Sequence, residues 1–159
     1  MIVGCGRLLL TRSNKKAGSK WKSVDPFILI VCATIVKDKK VLLVRHSDPG
    51  KPDYGDWILP AGRLEPGEDL EEGLHREIRE ETSLEVKIVR RLVEHMDPYT
   101  GDRLSNFLCI PLTSRIDMSS ELMEARWQDP HEIQGLENIH LGLKRFLVDG
   151  LSGDAFRQD

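Results

Sequence analysis

Gly62-Arg63-Leu64-Glu65-Pro66-Gly67-Glu68-Asp69-Leu70 runs through Glu71-Glu72-Gly73-Leu74-His75 into Arg76-Glu77-Ile78-Arg79-Glu80-Glu81-Thr82-Ser83-Leu84, and this stretch decides the fold. Glu65 to Asp69 is turn chemistry feeding a helix from about Leu70 to Thr82, with Leu70, Leu74 and Ile78 in one apolar stripe. Glu77, Glu80 and Glu81 share one helical face at i, i+3 and i+4, where like charges cost a few tenths of a kcal/mol per pair. A hard divalent cation takes oxygen ligands and relieves that repulsion. At roughly 100° per residue, the apolar stripe lies beside the carboxylates, so packing it holds the acids at the core's edge. Taken alone, glutamates on a helix are most often a solvated face. Their surroundings decide otherwise.

Upstream, Phe27 to Val36 is an apolar run rich in β-branched residues, predicting a strand buried on both faces. Lys37-Asp38-Lys39-Lys40 turns it into a second strand, Val41 to Arg45, and residues 47–56 carry turn residues without periodicity. Trp57-Ile58-Leu59 reads as a short strand stopped by Pro60. Downstream, strands are expected near Leu84–Val93, Leu104–Leu112 and Ala125–Gln128. A last helix follows from about Asn138 to Val148, with Ile139, Leu143, Phe146 and Leu147 inward and Gly150 as its stop. Strands with two well-separated helices predict an α/β chain, a mixed β-sheet sandwiched between helices (α/β/α).

The spacing Gly62, five residues, Glu68, seven residues, Arg76-Glu77-Ile78-Arg79-Glu80-Glu81-Thr82-Ser83-Leu84 resembles the Nudix box, matching eight of its nine fixed positions. Asp56-Trp57-Ile58-Leu59-Pro60-Ala61-Gly62 and Val41-Leu42-Leu43-Val44-Arg45 resemble the flanking family strands, so the resemblance covers residues 26–150. It implies the Nudix fold and a MutT-like pyrophosphohydrolase with Mg²⁺ or Mn²⁺, cleaving a nucleoside diphosphate linked to another moiety. Glu77, Glu80 and Glu81 match the metal-binding carboxylates, the carbonyl of Gly62 matches a backbone ligand, and Arg76 and Glu68 match the pair that orients the helix. The family often draws a further carboxylate from the loop before a late Trp strand. Here Glu121 is the candidate ligand or general base and Glu124 its rival. The chemistry is consistent: divalent cations neutralise diphosphate oxygens and acidify a bound water, while the protein positions the charges. The departure is Ser83 where the family has glycine, predicting a left-handed helix stop at a cost of about 1 kcal/mol. No ligand is lost, so the loop geometry is affected and not the chemistry.

Nucleoside triphosphates, including damaged ones, are the leading substrate expectation. ADP-ribose or another ADP-sugar, an RNA 5′ end, and a non-catalytic nucleotide sensor are the alternatives. The five histidines show no metal spacing and read as surface or core polar groups, and Trp57 and Trp127 as packing.

The chain's 159 residues, 40% hydrophobic and 31% charged, suit one domain with a small tail. Its net charge of −3 conceals a basic arm, +5 over residues 1–25, against −7 over residues 65–85. The arm (1–25) and a Nudix domain (26–159) are the expected division. The arm could track substrate phosphates or nucleic acid, though charged tails are usually solvated. Three scattered cysteines fit neither a disulfide framework nor a zinc site, which predicts a reducing, cytoplasmic setting. Ile2-Val3-Gly4-Cys5 has the form of a lipoprotein cleavage box, but no basic or long apolar segment precedes it, so no export signal is read. The longest apolar run is about half a membrane span, which leaves no membrane partner. The expected partner is a small nucleotide, and the resemblance admits a homodimer.

Overall fold

The computed structural model describes residues 28–150; the basic arm and its boundary at residue 25 lie outside them. Six strands and two helices follow in the order β1 (Leu29–Lys37), β2 (Lys40–His46), β3 (Ala61–Arg63), α1 (Leu70–Thr82), β4 (Val86–Met96), β5 (Arg103–Pro111), β6 (Leu122–Gln128) and α2 (Leu141–Gly150). A 3₁₀ segment, Pro130–Gly135, lies between the last two. The sheet order is β4-β5-β1-β2-β6, with β3 added to β1. β1 and β5 pair in parallel and every other named pair is antiparallel, so the sheet is mixed.

Alternation along the central strands builds the layers, because successive side chains point to opposite faces. Val31, Ala33 and Ile35 of β1 and Phe107 and Cys109 of β5 meet Leu74 and Ile78 of α1 on one face. On the other side, Val41 and Leu43 of β2 pack with Trp57, Leu59, Ile133 and Leu143 of α2, joined by Ile139 and Phe146. The sandwich of helix, sheet and helix is therefore the one expected. Leu147, also expected inward, lies beyond the described side chains.

α1 occupies the predicted span because both ends are specified locally. Asp69 caps it, accepting from the backbone N–H groups of Glu71 and Glu72, while Glu72 returns a bond to the Asp69 N–H. Ser83 ends it in the left-handed region at φ 59°, as the missing glycine predicts.

Several boundaries differ from expectation: β4 runs on to Met96, three residues past Val93, and Gly150 lies within α2 and not after it. Trp57 and Ile58 make only isolated pairings, with Ile139 and Val44, and the true strand lies beyond Pro60 at Ala61–Arg63. Proline lacks an N–H but keeps its carbonyl, which accepts from the Ala33 N–H at 2.9 Å. The chain thus changes partner at Pro60, from β2 to β1. α2 starts at Leu141 and not at 138, because Asn138 is left-handed (φ 55°) and Ile139 is tied to Trp57. β6 begins at Leu122, three residues before the Ala125 expected.

Candidate active site

α1 presents its acidic face toward β3 and toward the loop that leads into β6. Arg76 organises the first part. Its Nε and Nη2 donate to the two oxygens of Glu68 at 2.8 and 2.9 Å, Nη2 also donates to the Arg63 carbonyl, and Nη1 donates to Glu77 at 2.8 Å and Glu80 at 3.2 Å. A bidentate guanidinium–carboxylate pair fixes geometry as well as charge. It holds the Glu68 carboxyl down at about 2, helped by the Glu65 N–H, and keeps Arg76 firmly protonated. Arg76 thereby ties α1 to β3 and to the turn before the helix, and it aims Glu77.

Gly62 explains its own identity. A β-carbon there would lie 1.9 Å from the Glu77 carboxyl carbon, so the Glu77 carboxylate rests directly on the β3 backbone. Burial pushes the Glu77 carboxyl up, against the pull of Arg76. Glu80 stands exposed at the outer edge of the same face.

Glu81 is the most unusual member. It is 2% exposed; its Oε1 lies 3.4 Å from Nε2 of His46, and its Oε2 has no hydrogen-bond partner among the described residues. Burial pushes the Glu81 carboxyl up more strongly than His46 draws it down. The other ring nitrogen of His46 lies 3.2 Å from Asp53 in the loop between β2 and β3. Burial acts to lower the His46 pKa, but the carboxylates of Asp53 and Glu81 prevail and raise it to about 9. The Asp53–His46–Glu81 row was not legible in the sequence. Asp53 lies in an aperiodic turn and His46 ends a strand, and only the tertiary fold brings them to the helix.

The loop before β6 docks on the C-terminal end of α1. The N–H groups of Asp117 and Ser119 donate to the carbonyls of Thr82 and Glu81 at 3.0 Å, satisfying groups that a helix end leaves open. This docking brings Glu121 near enough to Glu77 to raise its pKa by charge repulsion. Glu124 points elsewhere, accepting from Arg45 Nη1 at 3.2 Å. Of the two rivals, Glu121 is the one beside the acidic face. Among the described residues, no three acidic, histidine or cysteine side chains converge as a ready-made metal cage, since Arg76 holds Glu77 and Glu80 while His46 holds Glu81.

Beside Gly62 and His46 opens a cavity of about 510 Å³, on the sheet face away from α1. Its floor is β1 and β5, and the start of α2 forms one wall. His140 on that wall pairs with Asp97 at 3.3 Å, and Tyr99 meets the His140 ring edge-on at 4.5 Å. Trp57 is packing, as expected: it is buried, with the guanidinium groups of Arg126 and Arg45 at 4.5 and 5.4 Å from its ring.

The chain is similar to known proteins in sequence and in fold. The chain is 33% identical over 144 residues to an 8-oxo-dGDP phosphatase, NUDT18, of Danio rerio, an alignment covering 77% of this chain and 42% of that protein. It thus spans about two fifths of that relative's length. It is 28% identical over 122 residues to the nucleoside triphosphatase NudI of Escherichia coli, covering 65% of this chain and 83% of the relative. A crystal structure of a Nudix hydrolase from Nitrosomonas europaea superposes with a TM-score of 0.65 at 28% identity, over 79% of this chain and 73% of that one. The family model described as the NUDIX domain matches residues 26–149, and with the box helix, its Arg76 tether and the mixed sheet in place, the chain belongs to the Nudix hydrolase family.

Proposed function

We propose that this protein is a divalent-metal-dependent pyrophosphohydrolase that cleaves the diphosphate linkage of a nucleoside diphosphate derivative, with nucleoside triphosphates, damaged ones included, as its first substrates. The observation that carries the reading is the Glu81 carboxylate, buried beside Glu77 on the helix face with one oxygen unpartnered among the described residues. A buried carboxylate oxygen without a partner is costly, and a bound cation would relieve that cost. Gly62 supports the same fit, because its missing side chain leaves the Glu77 carboxylate seated on the backbone.

Glu77, Glu80, Glu81 and the Gly62 carbonyl would hold Mg²⁺ or Mn²⁺, with Glu121 as a further ligand. When bound, such a cation neutralises diphosphate oxygens and lowers the pKa of water. The remaining work falls to the chain. Arg76, anchored by Glu68, keeps Glu77 in place and prevents the helix from drifting off β3. His46, held by Asp53, orients Glu81 so that only one of its oxygens is engaged. Glu121 can alternatively accept a proton from the attacking water, the role for which Glu124, paired with Arg45, is poorly placed.

The relatives named as a triphosphatase and a diphosphate phosphatase support a nucleotide substrate. None of the described helices is long and apolar enough to cross a membrane, and the buried free thiols of Cys32 and Cys109 suit the reducing, cytoplasmic setting proposed here. The test is a hydrolysis panel with and without Mg²⁺ over nucleoside triphosphates, 8-oxo-dGTP and 8-oxo-dGDP, ADP-ribose, dinucleoside polyphosphates and 5′-triphosphate RNA. Triphosphates or their oxidised forms should turn over fastest. Exclusive turnover of ADP-ribose or RNA would replace the substrate, and no turnover of any would leave a binding module.

A further inference from the structure

Glu121 is carried by a segment without regular structure: no residue between Pro111 and Leu122 belongs to a helix or strand. Its backbone is nevertheless held from two directions. Ser119, tied to the end of α1 through its own N–H, accepts from the Glu121 N–H at 3.3 Å with its hydroxyl. From the other direction comes Ser47, the residue that follows β2. Its N–H donates to the Glu121 carbonyl at 2.9 Å, and its hydroxyl donates to the Ser120 carbonyl at 2.7 Å. The Ser120 carbonyl, the Glu121 N–H and the Glu121 carbonyl are thus all bonded within the protein. An exposed surface loop does not need this, because water satisfies its backbone groups. Register shows how the contact arises. Arg45 stands opposite Glu124 but His46 stands opposite Leu122, so Met123 is an extra residue on β6. A bulge of this kind re-aims the chain and is common beside active sites. Here it brings Glu121, and not Leu122, against Ser47. The end of β2 therefore meets two of the acids with consecutive residues: His46 lies beside the Glu81 carboxylate and Ser47 grips the Glu121 backbone.

We propose that Ser47 is a positioning residue for the hydrolysis, acting through the Glu121 backbone to present the Glu121 carboxylate to the acidic face of α1. The proposal rests on the hydrolase reading above, in which Glu121 serves as ligand or general base. The Glu121 side chain is exposed and long, so its placement must come from the backbone that carries it. A displacement of about 1 Å at a reacting group can cost on the order of a hundredfold in rate. The Ser47 hydroxyl and N–H fix the two carbonyls that flank the Glu121 α-carbon, one on each side, which restricts the direction in which the side chain leaves the loop. Ser119 supplies the matching anchor from the α1 side.

The test is a double-mutant cycle in the full chain, read as kcat and KM in Mg²⁺ for whichever nucleotide of the panel above wild type hydrolyses fastest. Ser47→Ala removes the hydroxyl and keeps the N–H; it should lower kcat about tenfold with KM within about twofold. Ser47→Thr restores a hydroxyl and should return kcat to within about threefold of wild type. In a Glu121→Gln background, Ser47→Ala should change kcat by less than about twofold, because its effect passes through a carboxylate already removed. Ser119→Ala loses the opposite anchor and should behave in the same way, so it serves as the readout if Ser47→Ala does not fold. Apart from turnover, hydrogen exchange of the metal-free wild type should show the Ser47 amide protected, and Ser47→Ala should speed exchange at that position. Wild-type kcat in folded Ser47→Ala, losses that simply multiply in the double variant, or an unprotected Ser47 amide would each overturn this role and leave the hydrolase reading standing. A wild-type protein that hydrolyses no nucleotide overturns that reading, and this role with it.

Discussion

Ser83 shows how a single residue can be right for two opposed reasons. It stands where the family has glycine and adopts φ 59°, a left-handed conformation that costs a serine about 1 kcal/mol. Its hydroxyl, however, donates to the Asp117 carbonyl at 3.2 Å, in the segment that docks on the end of α1. An exposed bond of this kind returns about 0.5–1 kcal/mol. Ser83→Gly should therefore change stability by less than about 1 kcal/mol in either direction, read as a shift in urea midpoint at constant slope. A larger loss would mean that the Asp117 bond dominates the docking of the loop. The left-handed stop was legible because the box spacing marks the position; the compensating bond was not, because Asp117 is distant in sequence. The same contrast holds for the acids. Glu77, Glu80 and Glu81 are readable from their shared helical face, whereas His46, the partner of Glu81, sits among five histidines with no spacing to distinguish it.

At the scale of elements, α1 is readable to the residue because its cap, its stripe and its stop are all local signals. β3 was misplaced because pairing depends on which strand lies alongside, and Pro60 marks a change of partner that resembles an end. The row from the β2–β3 loop through β2 to α1, Asp53–His46–Glu81, makes stability depend on pH. The His46 pKa is raised in the fold from its ordinary 6.5 to about 9. A group raised on folding contributes its stability in full below the unfolded value and loses it as pH climbs through the folded one. The metal-free protein should thus lose stability as pH rises from 6.5 through about 9. His46→Gln should remove this slope. Parallel stability profiles for the two proteins over that range would show that His46 is not protonated in the fold.

The whole molecule sets its acidic face and its cavity on either side of one short strand, β3, with Gly62 touching both. The α/β/α layering was legible because strand alternation and two amphipathic helices determine it. The cavity was not, because it depends on where α2 begins, and Asn138 moves that start to Leu141. The arm over residues 1–25, +5 in charge, lies outside the described residues. Removing residues 1–22 should leave kcat/KM for a small nucleotide within about twofold, since the proposed site lies within residues 28–150. If the arm tracks RNA, the same deletion should weaken RNA binding and reduce its salt dependence by about 0.7 per lost phosphate contact. Undiminished RNA affinity in a folded deletion variant would exclude the arm as a nucleic-acid contact.

On the reading proposed above, the acidic face of α1 binds a divalent cation and is not merely solvated. The most direct test is nucleotide turnover in Mg²⁺ by wild type, Glu80→Gln and Glu81→Gln, with thermal melts of each. Chelation should abolish wild-type turnover, and each variant should lose at least about a hundredfold in kcat. Both variants should still melt cooperatively, because neutralising one carboxylate relieves repulsion on that face. Near wild-type turnover in both folded variants, or full activity in chelator, would contradict it.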